Sequence, residues 1–179
     1  MRSWRVAALV SCAVLVGSPS DADECIGPAN ARLFASESGI HIFRVGQKPG
    51  KLPEGTLIAI RENFGERRIW RARLINVPAR VIVTDDGRTV VTIDNAGCGY
   101  GREHSIVVYG ERGRLIADLR LEDILSEGEI RERIKHSMAG RYWTENASFS
   151  LDRVSGALAI SFEWGRFVTI DLLTGAVTR

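Results

Sequence analysis

The chain reads as a mostly β protein: an antiparallel meander of three four-stranded units, interrupted once by a short helical insertion. Three observations predict this. Short runs rich in valine, isoleucine and aromatic residues recur with polar residues between them, as strands with a buried face do. Turn residues separate the runs: Lys48-Pro49-Gly50, Asp85-Asp86-Gly87, Glu111-Arg112-Gly113, Arg153 to Gly156, and Thr174-Gly175. The 179 residues are 45% apolar and 26% charged, with 18 glycines and 5 prolines. That is the composition of one globular domain and excludes a disordered, collagen-like or many-pass membrane chain.

At the N-terminus, Arg2 and Arg5 precede an uncharged apolar stretch from Val6 to Val16, closed by Gly17, Ser18 and Pro19. The stretch is shorter than the ~20 residues a bilayer span needs. With small residues at Ser20 and Ala22, residues 1–22 read as a secretory signal peptide, cleaved after Ala22 or, as the second choice, after Ser20. An uncleaved anchor is the alternative, since Pro19 and Asp21 crowd the exit. Leu9-Val10-Ser11-Cys12 resembles a lipoprotein box, but Cys12 sits inside the apolar core instead of ending it. The expected product is a single domain, residues 23–179, exported to a periplasmic or extracellular space with no membrane span after cleavage. Every basic residue is arginine except Lys48, Lys51 and Lys135, a usage that points to GC-rich bacterial coding.

The strand runs follow in three groups of four. Arg32–Ala35, Ile40–Val45, Thr56–Arg61 and Arg68–Ile75 form the first. Arg80–Thr84, Thr89–Asp94, Ser105–Tyr109 and Arg114–Asp118 form the second. Phe149–Asp152, Ala157–Glu163, Arg166–Asp171 and Ala176–Thr178 form the third. Between the last two groups, residues 121–138 read as helical. Leu121–Leu125 is one amphipathic turn; Ser126 with Glu129 makes a capping box, and Ile130, Ile134 and Met138 then share a face. Trp70, Trp143 and Trp164 are assigned to the sheet core. Arg67, Arg68, Arg71 and Arg73 are assigned to a solvated strand face, with polyanion binding as the alternative.

The second group has a strand, the Asp-Asp-Gly-Arg turn at 85–88, a strand ending Ile93-Asp94-Asn95, a long loop, the strand Ile106–Tyr109, a Gly113 turn and Leu115–Leu119. The third echoes it with Asp152, Gly156, Trp164 and a closing Asp171-Leu172-Leu173-Thr174-Gly175. Residues 78–119 and 149–178 thereby resemble blades of β-propeller repeat proteins; the first group resembles them poorly. The resemblance implies blade-like sheets and carries no catalytic residue with it. Closed propellers have four to eight blades, so three groups imply an open meander or a homodimer that completes a ring. A β-sandwich is the alternative fold.

Two cysteines follow the signal, Cys25 and Cys98, and in an oxidising compartment they are expected to form one disulfide. Cys98 lies in the longest irregular stretch between strands, Asn95 to His104, which also carries Tyr100, Arg102, Glu103 and His104. These four are the candidate binding residues, because loops on rigid strands are where contacts concentrate. A Cys98–His104 nucleophile and base is conceivable only if Cys98 is not bridged. Gly97, Gly99 and Gly101 lack the spacing of a dinucleotide loop, and a strand follows where a helix should start. His41, His104 and His136 have no metal-ligand spacing, and Asp85-Asp86-Gly87 lacks the further acids of a calcium loop. In a meander that turn and His104 belong to opposite ends of the sheet. Gly-x-Ser-x-Gly is absent. With 24 basic against 22 acidic residues, net charge is only +2, which argues against nucleic-acid binding.

The sequence therefore predicts an exported β-repeat module that binds a protein or envelope component without catalysis, cofactor or metal. An extracytoplasmic enzyme using the 95–104 loop, or a purely structural protein, are the alternatives.

Overall fold

The computed structural model describes residues 31–48, 51–62, 65–94, 100–134, 136–137, 140–141 and 143–179, with backbone alone at 100–101, 136–137 and 140–141. The signal segment, Cys25, Cys98 and the expected disulfide between them lie outside the described residues, as do Asn95 to Gly99 and Met138.

Each of the three strand groups forms its own four-stranded antiparallel sheet, and within each sheet the strands are neighbours in chain order. Sheet 1 holds β1 (Ala31–Ala35), β2 (His41–Gly46), β3 (Glu54–Ile60) and β4 (Glu66–Arg73). Sheet 2 holds β5 (Arg80–Val83), β6 (Val90–Ile93), β7 (Ile106–Tyr109) and β8 (Leu115–Leu119), with a single helical turn α1 (Tyr100–Glu103) between β6 and β7. The insertion follows as α2 (Leu121–Ile124), α3 (Glu127–Arg133) and a two-residue ladder of β9 (His136–Ser137) with β10 (Gly140–Arg141). Sheet 3 holds β11 (Ala147–Asp152), β12 (Ala157–Phe162), β13 (Phe167–Asp171) and β14 (Val177–Thr178).

The alternation of side chains explains how the sheets stack. In β6 and β7 every residue is buried, because sheet 2 is covered on both faces. Val81, Val83, Val90, Val107 and Tyr109 pack against Phe43, Val45, Leu57, Trp70 and Leu74 of sheet 1 and its exit. On the other face Val91, Ile93, Ile106 and Val108 meet Leu158, Ile160, Phe162, Val168 and Ile170 of sheet 3, together with the helices and Trp143. The order is sheet 1, sheet 2, sheet 3, three blade-like layers. The two-sheet sandwich does not form.

A repeated contact sets the stacking. The turn between the third and fourth strands of sheet 2 places Gly113 where a Cβ would lie 3.0 Å from the Trp70 ring and 3.1 Å from Ala72 of β4. The equivalent turn of sheet 3 places Gly175 where a Cβ would lie 2.5 Å from Ala117 of β8. Each turn thus rests on the fourth strand of the sheet before it. Both glycines have positive φ, 72° and 77°, so backbone conformation and space together exclude a side chain.

The first hairpin turns of all three sheets clasp one another at one end. Asp85 accepts a hydrogen bond from the Ser38 amide at 2.8 Å, and Arg153 pairs with Asp85 at 2.9 Å and with Glu37. In sheet 2 the Thr84–Thr89 turn and the Asp94–Ser105 backbone bond close opposite ends of β6, so Asp85 and His104 belong to opposite ends of that sheet.

The insertion departs from the sequence reading in one respect. Helix is expected over residues 121–138, but α3 stops at Arg133, Ile134 is extended, and His136–Ser137 pairs as strand. The capping box at Ser126 and Glu129 starts α3 as expected, with the Glu129 amide donating to Ser126 Oγ at 3.3 Å. Its far end has no comparable support: His136 and Ser137 are poor helix formers and Gly140 poorer still. Ile130 and Ile134 are buried in the core shared by sheets 2 and 3.

Candidate functional site

The end of sheet 2 that carries α1 is held from beneath by buried polar groups. Asn76, fully buried in the link from β4 to β5, donates its amide to the backbone oxygens of Thr92 at 3.3 Å and His104 at 3.0 Å. Its own side-chain oxygen accepts from the Thr92 hydroxyl at 2.9 Å. The Val77 amide donates to the Asp94 carboxylate at 2.9 Å, and the Asp94 amide donates to the Ser105 oxygen at 3.0 Å, closing the base of the 94–105 connection. From the other side, the Trp143 indole donates to the Asp94 backbone oxygen at 2.9 Å. Both ends of the connection are therefore fixed to the core, which satisfies buried groups that would each cost about 1–3 kcal/mol unpaired.

Tyr109 stands at the other end of β7, opposite Val90, and its side chain reaches back to the link between β4 and β5. Its hydroxyl oxygen accepts from the Ile75 amide at 2.9 Å. Burial raises its pKa to about 12; the Asp118 charge adds to the rise and the Ile75 bond opposes it.

Above this base stand two side-chain pairs. His104 Nδ1 lies 2.9 Å from both carboxylate oxygens of Asp118 on β8, with both side chains about one quarter exposed, at 28% each. With Nδ1 facing the carboxylate, Nε2 is left for a further contact. Arg102 of α1 pairs with Glu122 of α2. α2 is positioned by the buried Leu121 and Ile124 below it and by Asp123, which accepts from the Arg120 amide at 2.8 Å. The Arg179 guanidinium donates to the backbone oxygens of Glu122 at 2.7 Å and Asp123 at 3.1 Å. Three separate segments thus meet at one patch: residues 102–104, the end of β8, and α2 with its Arg179 clamp.

Of the sequence candidates, Arg102 and Glu103 are exposed and His104 is half-buried at this patch. Tyr100 begins α1, and only its backbone is described. A Cys98–His104 pair lies outside the described residues. Asp118 and Glu122, the charged partners of His104 and Arg102, carry no motif in the sequence. Nor do Thr92, Asp94 and Trp143 signal their role in the base. Asn76, a lone amide between Ile75 and Val77, is the single local cue. Among the described residues no three His, Cys, Asp or Glu side chains gather at metal-binding distance, and no helix is long and apolar enough to cross a membrane.

Comparison with protein-family models, with curated proteins and with solved structures returned no match.

Proposed function

We propose that this chain is an exported binding module that holds a protein or envelope component, without catalysis, at the patch formed by Arg102, Glu103, His104, Asp118 and Glu122. The observation that carries the reading is the His104–Asp118 pair standing on a fixed polar base. A charged patch whose members are already oriented loses little conformational freedom on binding, so its contacts contribute more of their intrinsic strength. Tyr100, which begins α1, belongs to this reading from the sequence alone. Recovery of a specific partner from native envelope extract on immobilised protein tests it. Arg102→Ala and His104→Ala are expected to weaken capture at least tenfold; capture unchanged by both would remove the patch from the interaction.

The enzymatic alternative draws on the same pair, because Asp118 orients His104 as carboxylates orient catalytic imidazoles. The nucleophile that the sequence pairs with His104 is Cys98. Loss of thiol labelling by iodoacetamide in the oxidised protein would place Cys98 in a disulfide and remove that reading.

A further inference from the structure

From the outer face of sheet 1 we infer a second binding surface, one that docks on an anionic lipid surface. Strand register defines the face. Leu33 stands opposite Arg44, Arg44 opposite Thr56, and Thr56 opposite Arg71, in one row across all four strands. Adjacent rows hold Ala31, Gly46, Glu54 and Arg73 on one side, and Ala35, Ile42, Ile58 and Arg68 on the other. Gly55 and Leu57 point the opposite way, into the core against Phe43, which fixes the assignment of faces.

Two properties of this face coincide. Its charge is one-sided: Arg44, Arg68, Arg71 and Arg73 are all exposed, against Glu54 and Glu66. Glu54 is already engaged by Arg71, and among the described residues Arg44, Arg68 and Arg73 have no acidic partner. With strands about 4.8 Å apart, Arg44 and Arg71 flank Thr56 at about 10 Å from each other, so several anionic groups can be met at once.

Its other half is apolar. Leu33 and, just ahead of β2, Ile40 protrude at 66% and 52% exposure, over a floor of Ile42, Ile58 and Ile60. Sheet 3 ends the stack differently. Its outer face carries Ser148, Ser150, Ser161 and Thr169 with one protruding aromatic, Phe167 at 54% exposure, and has no arginine on β11 or β12. Protruding aliphatic groups bordered by guanidinium groups suit a lipid surface, where the apolar tips enter below headgroups whose phosphates the arginines hold. A nucleic acid would be expected to meet aromatic stacking groups instead, and the described outer face of sheet 1 has none.

Co-sedimentation with vesicles tests this, using the chain as purified after export, its N-terminus read by mass spectrometry. Vesicles containing phosphatidylglycerol are expected to bind it and pure phosphatidylcholine vesicles are not. At about fivefold per arginine, Arg44→Gln with Arg73→Gln is expected to weaken binding about 25-fold. Leu33→Ser should weaken it further without changing the salt dependence. Arg131→Gln with Arg133→Gln on α3, an equal loss of charge elsewhere, should leave it unchanged; circular dichroism checks that all variants fold. Equal loss in the α3 variant would make the binding a net-charge effect and overturn the inference. So would indifference to phosphatidylglycerol together with binding to polyglutamate, which would make the face a dock for acidic protein. None of these variants touches Arg102, His104 or Asp118, so failure here leaves the first patch standing.

Discussion

Replacing Asn76 by alanine tests whether the polar base beneath the patch holds the fold together there. The residue is fully buried and makes three hydrogen bonds, two donated to the Thr92 and His104 backbone oxygens and one accepted from the Thr92 hydroxyl. The Thr92 hydroxyl keeps the Val107 oxygen at 3.3 Å as an alternative acceptor, so its loss is partly offset. The two backbone oxygens lose a buried donor, at about 1 kcal/mol each. A small void adds to this, for a total of about 2–3 kcal/mol. For a domain of this size that corresponds to a fall in Tm of about 5–10 °C. Thermal unfolding followed by circular dichroism at pH 7 measures it, with Ser148→Ala on the exposed face of sheet 3 as a variant expected to shift Tm by less than 2 °C. Asn76→Asp keeps the acceptor but points a carboxylate at two backbone oxygens. It should therefore melt lower than Asn76→Ala at pH 7 and recover as the pH is lowered. A fall below 2 °C for Asn76→Ala would refute the reasoning, because the connection would then be held by something other than this amide.

Other outcomes follow from the same structure. Gly175→Ala and Gly156→Ala both force alanine to positive φ, but a Cβ at Gly156 meets open space while one at Gly175 meets Ala117. Gly175→Ala should therefore cost about 1–3 kcal/mol more in urea unfolding; equal costs would remove the inter-sheet contact from the account. Asp85, Asp152 and Asp171 have lowered pKa values, through bonds from the Ser38 amide, the Ser155 hydroxyl and the Thr174 amide respectively. Their contribution is present above the ordinary aspartate range and lost as pH falls through their folded values. Triple replacement by asparagine should flatten the acid limb of a Tm–pH profile, whereas an unchanged limb would exclude these turns as its source. For Tyr109 the sign is reversed. Its raised value means stability is complete below about pH 10 and is lost as pH rises toward about 12. Tyr109→Phe should remove that alkaline step. Light scattering after size exclusion should give the mass of one chain, since exposed arginines, serines and threonines surround the few protruding apolar side chains (Leu33, Ile40 and Phe167) on the outer faces of sheets 1 and 3, where the inner layers are continuous valine and isoleucine. A dimer would mean that these faces close a ring.

Much of the fold was legible because a strand announces itself locally. All twelve runs read from apolar alternation and turn residues are strands, and the unbroken Ile106-Val-Val-Tyr109 run marks a strand covered on both faces. Local signals also misled, at the end of the insertion. Ile130, Ile134 and Met138 keep a helical period in the sequence, but backbone pairing at His136–Ser137 overrides it, and period cannot report pairing with Gly140–Arg141. The patch was half legible. His104 and Arg102 could be named from the crowded 95–104 stretch. Their partners could not, because Asp118 and Glu122 come from β8 and α2, and Trp143 reaches Asp94 across 49 positions. Nothing in the spacing of those residues records that they meet. The row of Arg44, Thr56 and Arg71 likewise depends on strand register, which the irregularity between Leu57 and Ile58 alters.

Amide hydrogen exchange read by mass spectrometry bears most directly on the claim that sheet 2 is a middle layer covered on both faces and anchoring the patch. Residues 90–94 and 105–109 should exchange only with global unfolding, the slowest in the chain. Amides of β1 and β14, edge strands of the two end sheets, should exchange orders of magnitude faster. Exchange in β6 and β7 as fast as in β1 and β14 would contradict the stacking order and with it the fixed base under His104 and Asp118.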